Sequence, residues 1–138
     1  MCLVAYKSST EALKKKLKSK RVYFYKVYEL LDGSLYPPIY GYVRVGVRER
    51  ANAIGFEVKS DFVKYDGDYS YDNFYKGVVR DINQGIHVYK TLKDAMSYRN
   101  NRKNRVVYRV TGKNEDLLGS DRDRAVFRKI KIEKEMKT

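Results

Sequence analysis

The segment Arg21-Val22-Tyr23-Phe24-Tyr25-Lys26-Val27-Tyr28-Glu29-Leu30-Leu31 carries β-branched or aromatic side chains on both alternating faces and stops at the turn Asp32-Gly33-Ser34. A strand that is apolar on both sides belongs in the middle of a sheet, with other parts of the chain packed against each face. The rest of the sequence is read as what extends or covers this strand.

Before it, Ser8 and Glu11 have the spacing of a capping box, and Ala12, Leu13 and Leu17 form a narrow apolar stripe among lysines, which predicts a helix over residues 9–19. After it, Pro37 and Pro38 cannot donate to a ladder, so residues 35–40 are expected as an extended loop or edge. Strand character resumes over residues 41–47 and again over 54–63, and residues 65–73 read as a polar, acidic loop. Gly85-Ile86-His87-Val88-Tyr89-Lys90 is a short apolar strand that runs into a helix over residues 91–98, where Thr91 and Asp94 have cap spacing and Leu92, Ala95 and Met96 face inward. Residues 104–111 form another strand and residues 112–123 a polar loop. Residues 124–132 form the last strand, with Ala125, Phe127, Lys129 and Lys131 on one face and Val126, Arg128, Ile130 and Ile132 on the other. A charged tail, 133–138, closes the chain. Five or six strands and two helices in mixed order predict one α+β domain over residues 1–138, built on a mainly antiparallel, twisted sheet.

The chain has 138 residues, 43% of them apolar, with 14 Tyr and 5 Phe, enough for a core of its own. Cys2 is its only cysteine, which excludes an intramolecular disulfide, and with His87 as the only histidine no four-ligand zinc site arises without carboxylates or a second chain. Neither a metal nor a cofactor is called for. No apolar run approaches the roughly 18 residues that span a bilayer, and residues 1–6 lack the pattern of a signal peptide, so the expectation is a cytoplasmic protein away from membranes.

The dominant property is charge: 30 Lys and Arg oppose 17 Asp and Glu, a net +13. The cations gather at residues 14–21, 44–50, 99–109 and 122–137. Such clusters gain affinity for phosphates by releasing counterions, so nucleic acid, RNA or DNA, is the expected partner. The residues expected to bind it are Lys14, Lys15 and Lys18 on the first helix, Arg99, Arg102, Lys103 and Arg105 in the connection after the second helix, and Lys129 and Lys131 on the last strand. Exposed tyrosines beside such a stripe suit unpaired bases. An acidic host protein is the alternative partner, since the same charge would steer it.

No residue set points to catalysis. Cys2, freed by methionine removal, would join a thiol to an α-amine as N-terminal nucleophiles do, but Leu3 stands where the amidotransferases of that type carry glycine; an ordinary buried thiol fits better. A lone histidine in an apolar strand, as His87 is, ordinarily serves as a hydrogen-bonded structural residue. Asp66, Asp68 and Asp72 lack the glycine position and closing glutamate of a calcium loop and read as a solvated turn. Gly41, Gly46 and Gly55 do not have phosphate-loop spacing.

Two resemblances accompany this reading. The start Met1-Cys2-Leu3, the strand Tyr25-Lys26-Val27, the turn region with Gly33, Pro37-Pro38 and Gly41, and the run from Gly85 to Ala95 together resemble an uncharacterised family of small proteins of phages, large DNA viruses and bacteria. This implies a viral or mobile-element origin and suits a protein that interferes with a host's nucleic-acid-handling defence in the host cytoplasm. More distantly, Tyr25-Lys26-Val27 followed by Gly-Ile-His-Val and a helix opening Thr-Leu-Lys-Asp-Ala is similar to the NAD-gripping core of ADP-ribosyltransferase-like folds. That likeness implies an NAD pocket at Lys26, His87 and Tyr89, in an enzyme or an inactive relative. The late glutamate of those enzymes has no clear counterpart, since Glu115 lies in a loop and Glu133 follows the last strand.

Overall fold

In the computed structural model, residues 3–37, 46–60, 65–66, 78–82 and 85–137 are described, with the backbone alone at 65–66 and 78–82. The expected central strand is β2 (Tyr23–Leu31). In chain order it is preceded by β1 (Leu3–Tyr6) and α1 (Lys7–Ser19). It is followed by β3 (Ser34–Tyr36), β4 (Arg48–Glu49), β5 (Glu57–Lys59), β6 (Tyr65–Asp66), β7 (Val78–Ile82), β8 (Ile86–Tyr89), α2 (Leu92–Arg99), β9 (Arg105–Thr111), β10 (Leu117–Ser120), β11 (Arg124–Phe127) and β12 (Lys129–Met136). The α+β class and the antiparallel pairing hold, but the described strands form a nine-stranded sheet and a three-stranded one instead of five or six strands in all. The excess comes from short segments: β1, β3, β4, β6, β7 and β10 have two to five residues each, too few for a periodicity to declare itself.

β2 lies midway in the order β10-β11-β8-β2-β9-β12-β5, and its ladder with β9 runs from Tyr23↔Thr111 to Glu29↔Arg105. β11 and β12 are joined by Arg128 alone, yet β11 pairs with β8 and β12 with β9, on opposite sides of β2. The sheet therefore bends round on itself like a small barrel. Arg128 makes the bend: its N–H donates to Asp116 O at 2.8 Å and its carbonyl accepts from Ser60 N–H at 2.8 Å, both outside the β8 and β9 ladders. This corrects the expectation of one regular strand over 124–132. An extra residue at a bend shifts the alternation by one, so Ala125 and Phe127 share the main core with Ile130 and Ile132 instead of opposing them.

That core fills the concave side. Phe24 meets Phe127 edge-on with centroids 5.1 Å apart, and Tyr28 meets Tyr108 at 6.1 Å, geometries worth about 0.5–1.5 kcal/mol each beyond the area they bury. Gly112 is required by this packing, because a Cβ there would lie 2.4 Å from the Phe127 ring. On the convex side α2 covers Val27 and Val107 with Ala95. Its N-terminus is capped as expected, Asp94 N–H donating to Thr91 Oγ1 at 3.2 Å, and Asn100 closes it in the left-handed conformation.

α1 differs from its expected form. It begins at Lys7, directly from β1, with no side-chain cap, so Ser8 lies within the helix and the capping box is not made. Its buried face is Thr10, Leu13 and the partly buried Leu17, while Ala12 faces solvent. Thr10 fastens it to β10: its hydroxyl accepts from Ser120 N–H at 3.1 Å and donates to Ser120 O at 3.4 Å. The expected loop 112–123 contains β10, whose Leu117, Leu118, Gly119 and Ser120 are all buried, and the expected tail belongs to β12 as far as Met136. Of the strand expected over 54–63, only Glu57–Lys59 is strand; Ile54 and Gly55 form a turn, and 61–63 lie outside the described residues. Residues 41–45 of the strand expected over 41–47, together with Cys2, Pro38, Asp68 and Asp72, also lie outside them, whereas Asp66 pairs through its backbone with Asp81. Among the described residues no helix is long and apolar enough to cross a membrane, and no group of three or more His, Cys, Asp or Glu is placed to hold a metal.

Candidate nucleic-acid interface

The chain leaves α1 through Lys20, whose N–H closes the last turn on Lys16 O at 3.1 Å, and enters β2 through Arg21 and Val22. Lysines in the last turn oppose the partial negative charge of the helix C-terminus, which accounts for Lys16 and Lys18 structurally. Lys20 caps that end through its backbone alone, which leaves its side chain and that of Arg21, the next residue, without a part in the cap. Across from them are the β9–β10 connection, residues 112–116, and the start of β12, which pairs with β5 through Lys129↔Lys59 and Lys131↔Glu57. Between these segments runs an open groove of about 550 Å³.

Six cations line the groove: Lys18, Lys20, Arg21, Lys113, Lys129 and Lys131. Three carboxylates, Glu57, Asp116 and Glu133, share it, and Glu133 is engaged by the Thr111 hydroxyl at 2.8 Å. None of the six cations forms an ion pair or side-chain hydrogen bond among the described residues. With six cations against three carboxylates the groove keeps a net positive charge that attracts counterions, and an entering polyanion gains affinity by releasing them. Asn114 and Asp116 also line the groove; Asn114 Oδ1 and Asp116 Oδ2 are shut from solvent and without hydrogen-bond partners among the described residues.

Two of the three segments expected to bind phosphate meet here. Lys18 of α1 and Lys129 and Lys131 of β12 come together, whereas Lys14 and Lys15 are exposed on α1 outside the groove lining. The Arg99 to Arg105 connection lies elsewhere and is partly consumed by the fold. Arg105 is 7% exposed, pairs with Glu29 at 3.4 Å, donates to Tyr98 O at 3.0 Å and stacks on the Tyr98 ring at 4.8 Å. Arg99 Nε donates to Arg105 O at 2.8 Å, which leaves Arg102 and Lys103 as the exposed cations of that turn. Lys20, Arg21 and Lys113 were not singled out by the sequence reading. Lys20 and Arg21 carry a signal in retrospect, as cations placed after the last helical turn; Lys113 carries none, because only the fold brings it opposite them.

Lys26, His87 and Tyr89 do not form one pocket. Lys26 shares the concave face of β2 with Phe24 and Tyr28, and its ammonium donates to the backbone oxygen of His87 at 2.9 Å and lies 5.7 Å from the Tyr28 ring. Enclosure of this amine away from water holds its pKa down to about 8. The backbone ladder joining β2 to β8 is the single pair Tyr25↔Tyr89, so the lysine ties the seam at its thinnest point. Tyr89 packs on the convex side, 5.8 Å from the Tyr98 ring, and burial pushes its phenol pKa up.

Comparison of the chain with family models, curated proteins and solved structures finds no match.

Proposed function

We propose that this protein is a non-enzymatic binder of nucleic acid and that it takes the sugar-phosphate backbone into the groove between the end of α1, residues 112–116 and β12. The observation that carries this reading is the convergence of Lys18, Lys20, Arg21, Lys113, Lys129 and Lys131, from separate parts of the chain, in one concavity where they have no ion partner among the described residues. Concavity separates the nucleic-acid reading from an acidic protein partner: a backbone is a narrow polyanion that a groove surrounds, whereas a globular partner of standard size needs roughly 800 Å² of matching surface on each side.

Binding of labelled single-stranded and duplex RNA and DNA, measured by fluorescence anisotropy at low salt, tests it. Affinity that weakens steeply and linearly on a log-log plot against salt supports the groove. Failure of all four probes at low salt removes the proposal and leaves the acidic-protein reading to be pursued.

A further inference from the structure

The convex face of the sheet continues from the groove in rows that the strand register makes legible. Under α2 lies the row Val27, Val107 and Met136; the next contains Tyr25, Arg109 and Lys134; the next, Tyr23, Thr111 and Lys131. Rows on one face are about 7 Å apart and neighbouring strands about 4.8 Å. Tyr25 is packed at the edge of the α2 cluster. Tyr23 is not: it is 36% exposed, follows the groove residue Val22, and pairs across the ladder with Thr111, which also lines the groove. It stands at the groove's rim on the open part of the sheet.

Arg109 gives Tyr23 its setting. Its guanidinium lies 4.2 Å from the centroid of the Tyr23 ring, covering part of it and holding it in place. This guanidinium makes no hydrogen bond or ion pair among the described residues, and its Nε is closed off from solvent without a partner. A guanidinium fork matches a phosphate. A flat, exposed aromatic ring, a cation with free donors against it, and Lys131 and Lys134 on the adjoining strand make a platform for an unstacked base and its phosphate.

Resting on the nucleic-acid reading above, we infer that the preferred ligand is single-stranded, with one unpaired base stacked on Tyr23 beside Arg109 while the adjoining backbone enters the groove. A duplex keeps its bases stacked inside and offers the ring only its backbone, so Tyr23 discriminates between the two forms.

The test compares the full-length protein and its Tyr23→Phe and Tyr23→Ala variants, each titrated with a short oligothymidylate, an oligouridylate and a duplex of equal length. Tyr23→Phe keeps the ring and is expected to bind single strands as the parent does. Tyr23→Ala is expected to lose roughly 5- to 150-fold in single-strand affinity, the range that one base-aromatic stack supplies, with duplex affinity changed less than about twofold. Equal loss for both forms, or a parent protein that binds duplex as tightly as single strand, overturns the inference while leaving the groove in place. Absence of binding to every probe overturns the groove and the inference together. Tyr23 lies at the surface, and a thermal melt of Tyr23→Ala matching the parent identifies any loss as one of contact.

Discussion

If the groove is the phosphate site, the salt dependence of binding counts its cations. Each phosphate neutralised on a single strand contributes about 0.7 to the slope of log K against log salt, so six cations give a slope near −4, and raising salt from about 50 to about 200 mM should weaken binding roughly 300-fold. Changing Lys113, Lys129 and Lys131 together to Gln halves the count without touching any hydrogen bond or ion pair among the described residues. The slope should then fall to about −2 and the loss over the same salt interval to roughly 20-fold. The comparison variant changes Arg102 and Lys103 to Gln; both are exposed and basic but outside the groove, so it alters net charge by two and should leave the slope near −4. Anisotropy titrations of one labelled single strand at four or more salt concentrations, on all three proteins, supply the slopes. The reasoning is refuted if the triple variant keeps the parent slope, or if the Arg102 and Lys103 variant lowers it as much, since diffuse charge and not the groove would then be binding.

Three further outcomes concern the fold. Arg105→Ala strips a buried carboxylate, Glu29, of its guanidinium at an exposure of 9%, and urea unfolding should register a loss of about 3–5 kcal/mol; a loss below about 1 kcal/mol would mean the pair is solvated. Gly112→Ala forces a methyl group to 2.4 Å from the Phe127 ring, where the ring or the backbone must shift, and is expected to cost about 1–3 kcal/mol, read as a lowered midpoint in the same assay. Lys26 has a folded pKa of about 8, below its unfolded value near 10.5, so the unfolded chain holds the extra proton between those values and stability rises with pH across that window. The stability difference between the parent and Lys26→Met should therefore grow in the parent's favour from about pH 8 to about pH 10, by up to roughly 3 kcal/mol at full effect; a pH-independent difference would place the amine in water.

How much of this was legible in the residues varies with the range of the interaction responsible. β2, β8, β9 and the capped helix α2 carry their own signals: alternation, β-branching, and a Thr-to-Asp spacing that satisfies a helix terminus locally. For α1 the helix and its Leu13 and Leu17 contacts were legible, but not the burial of Thr10 in place of Ala12 nor its start, because β1 feeds it directly and packing through Thr10 and Ser120 substitutes for a cap. β10 was hidden, since Leu-Leu-Gly-Ser is strand only when β11 lies alongside it. The bend at Arg128 was hidden as well: it depends on Asp116 and Ser60, distant residues that take the backbone bonds a regular strand would have made to the neighbouring strands β8 and β9.

The candidate site divides in the same way. Composition and local clustering determined that the chain is strongly cationic and that Lys18, Lys129 and Lys131 lie in its densest segments, because charge is additive along a sequence. Which clusters act together was decided only by tertiary structure. Closure of the sheet through Arg128 carries β12 to the end of α1 and sets Lys113 opposite both, while the equally basic stretch at residues 99–105 spends Arg99 and Arg105 on holding α2 to β9. A lysine or arginine has the same charge in either place; whether that charge is available to a ligand depends on what the folded chain has already put within its reach.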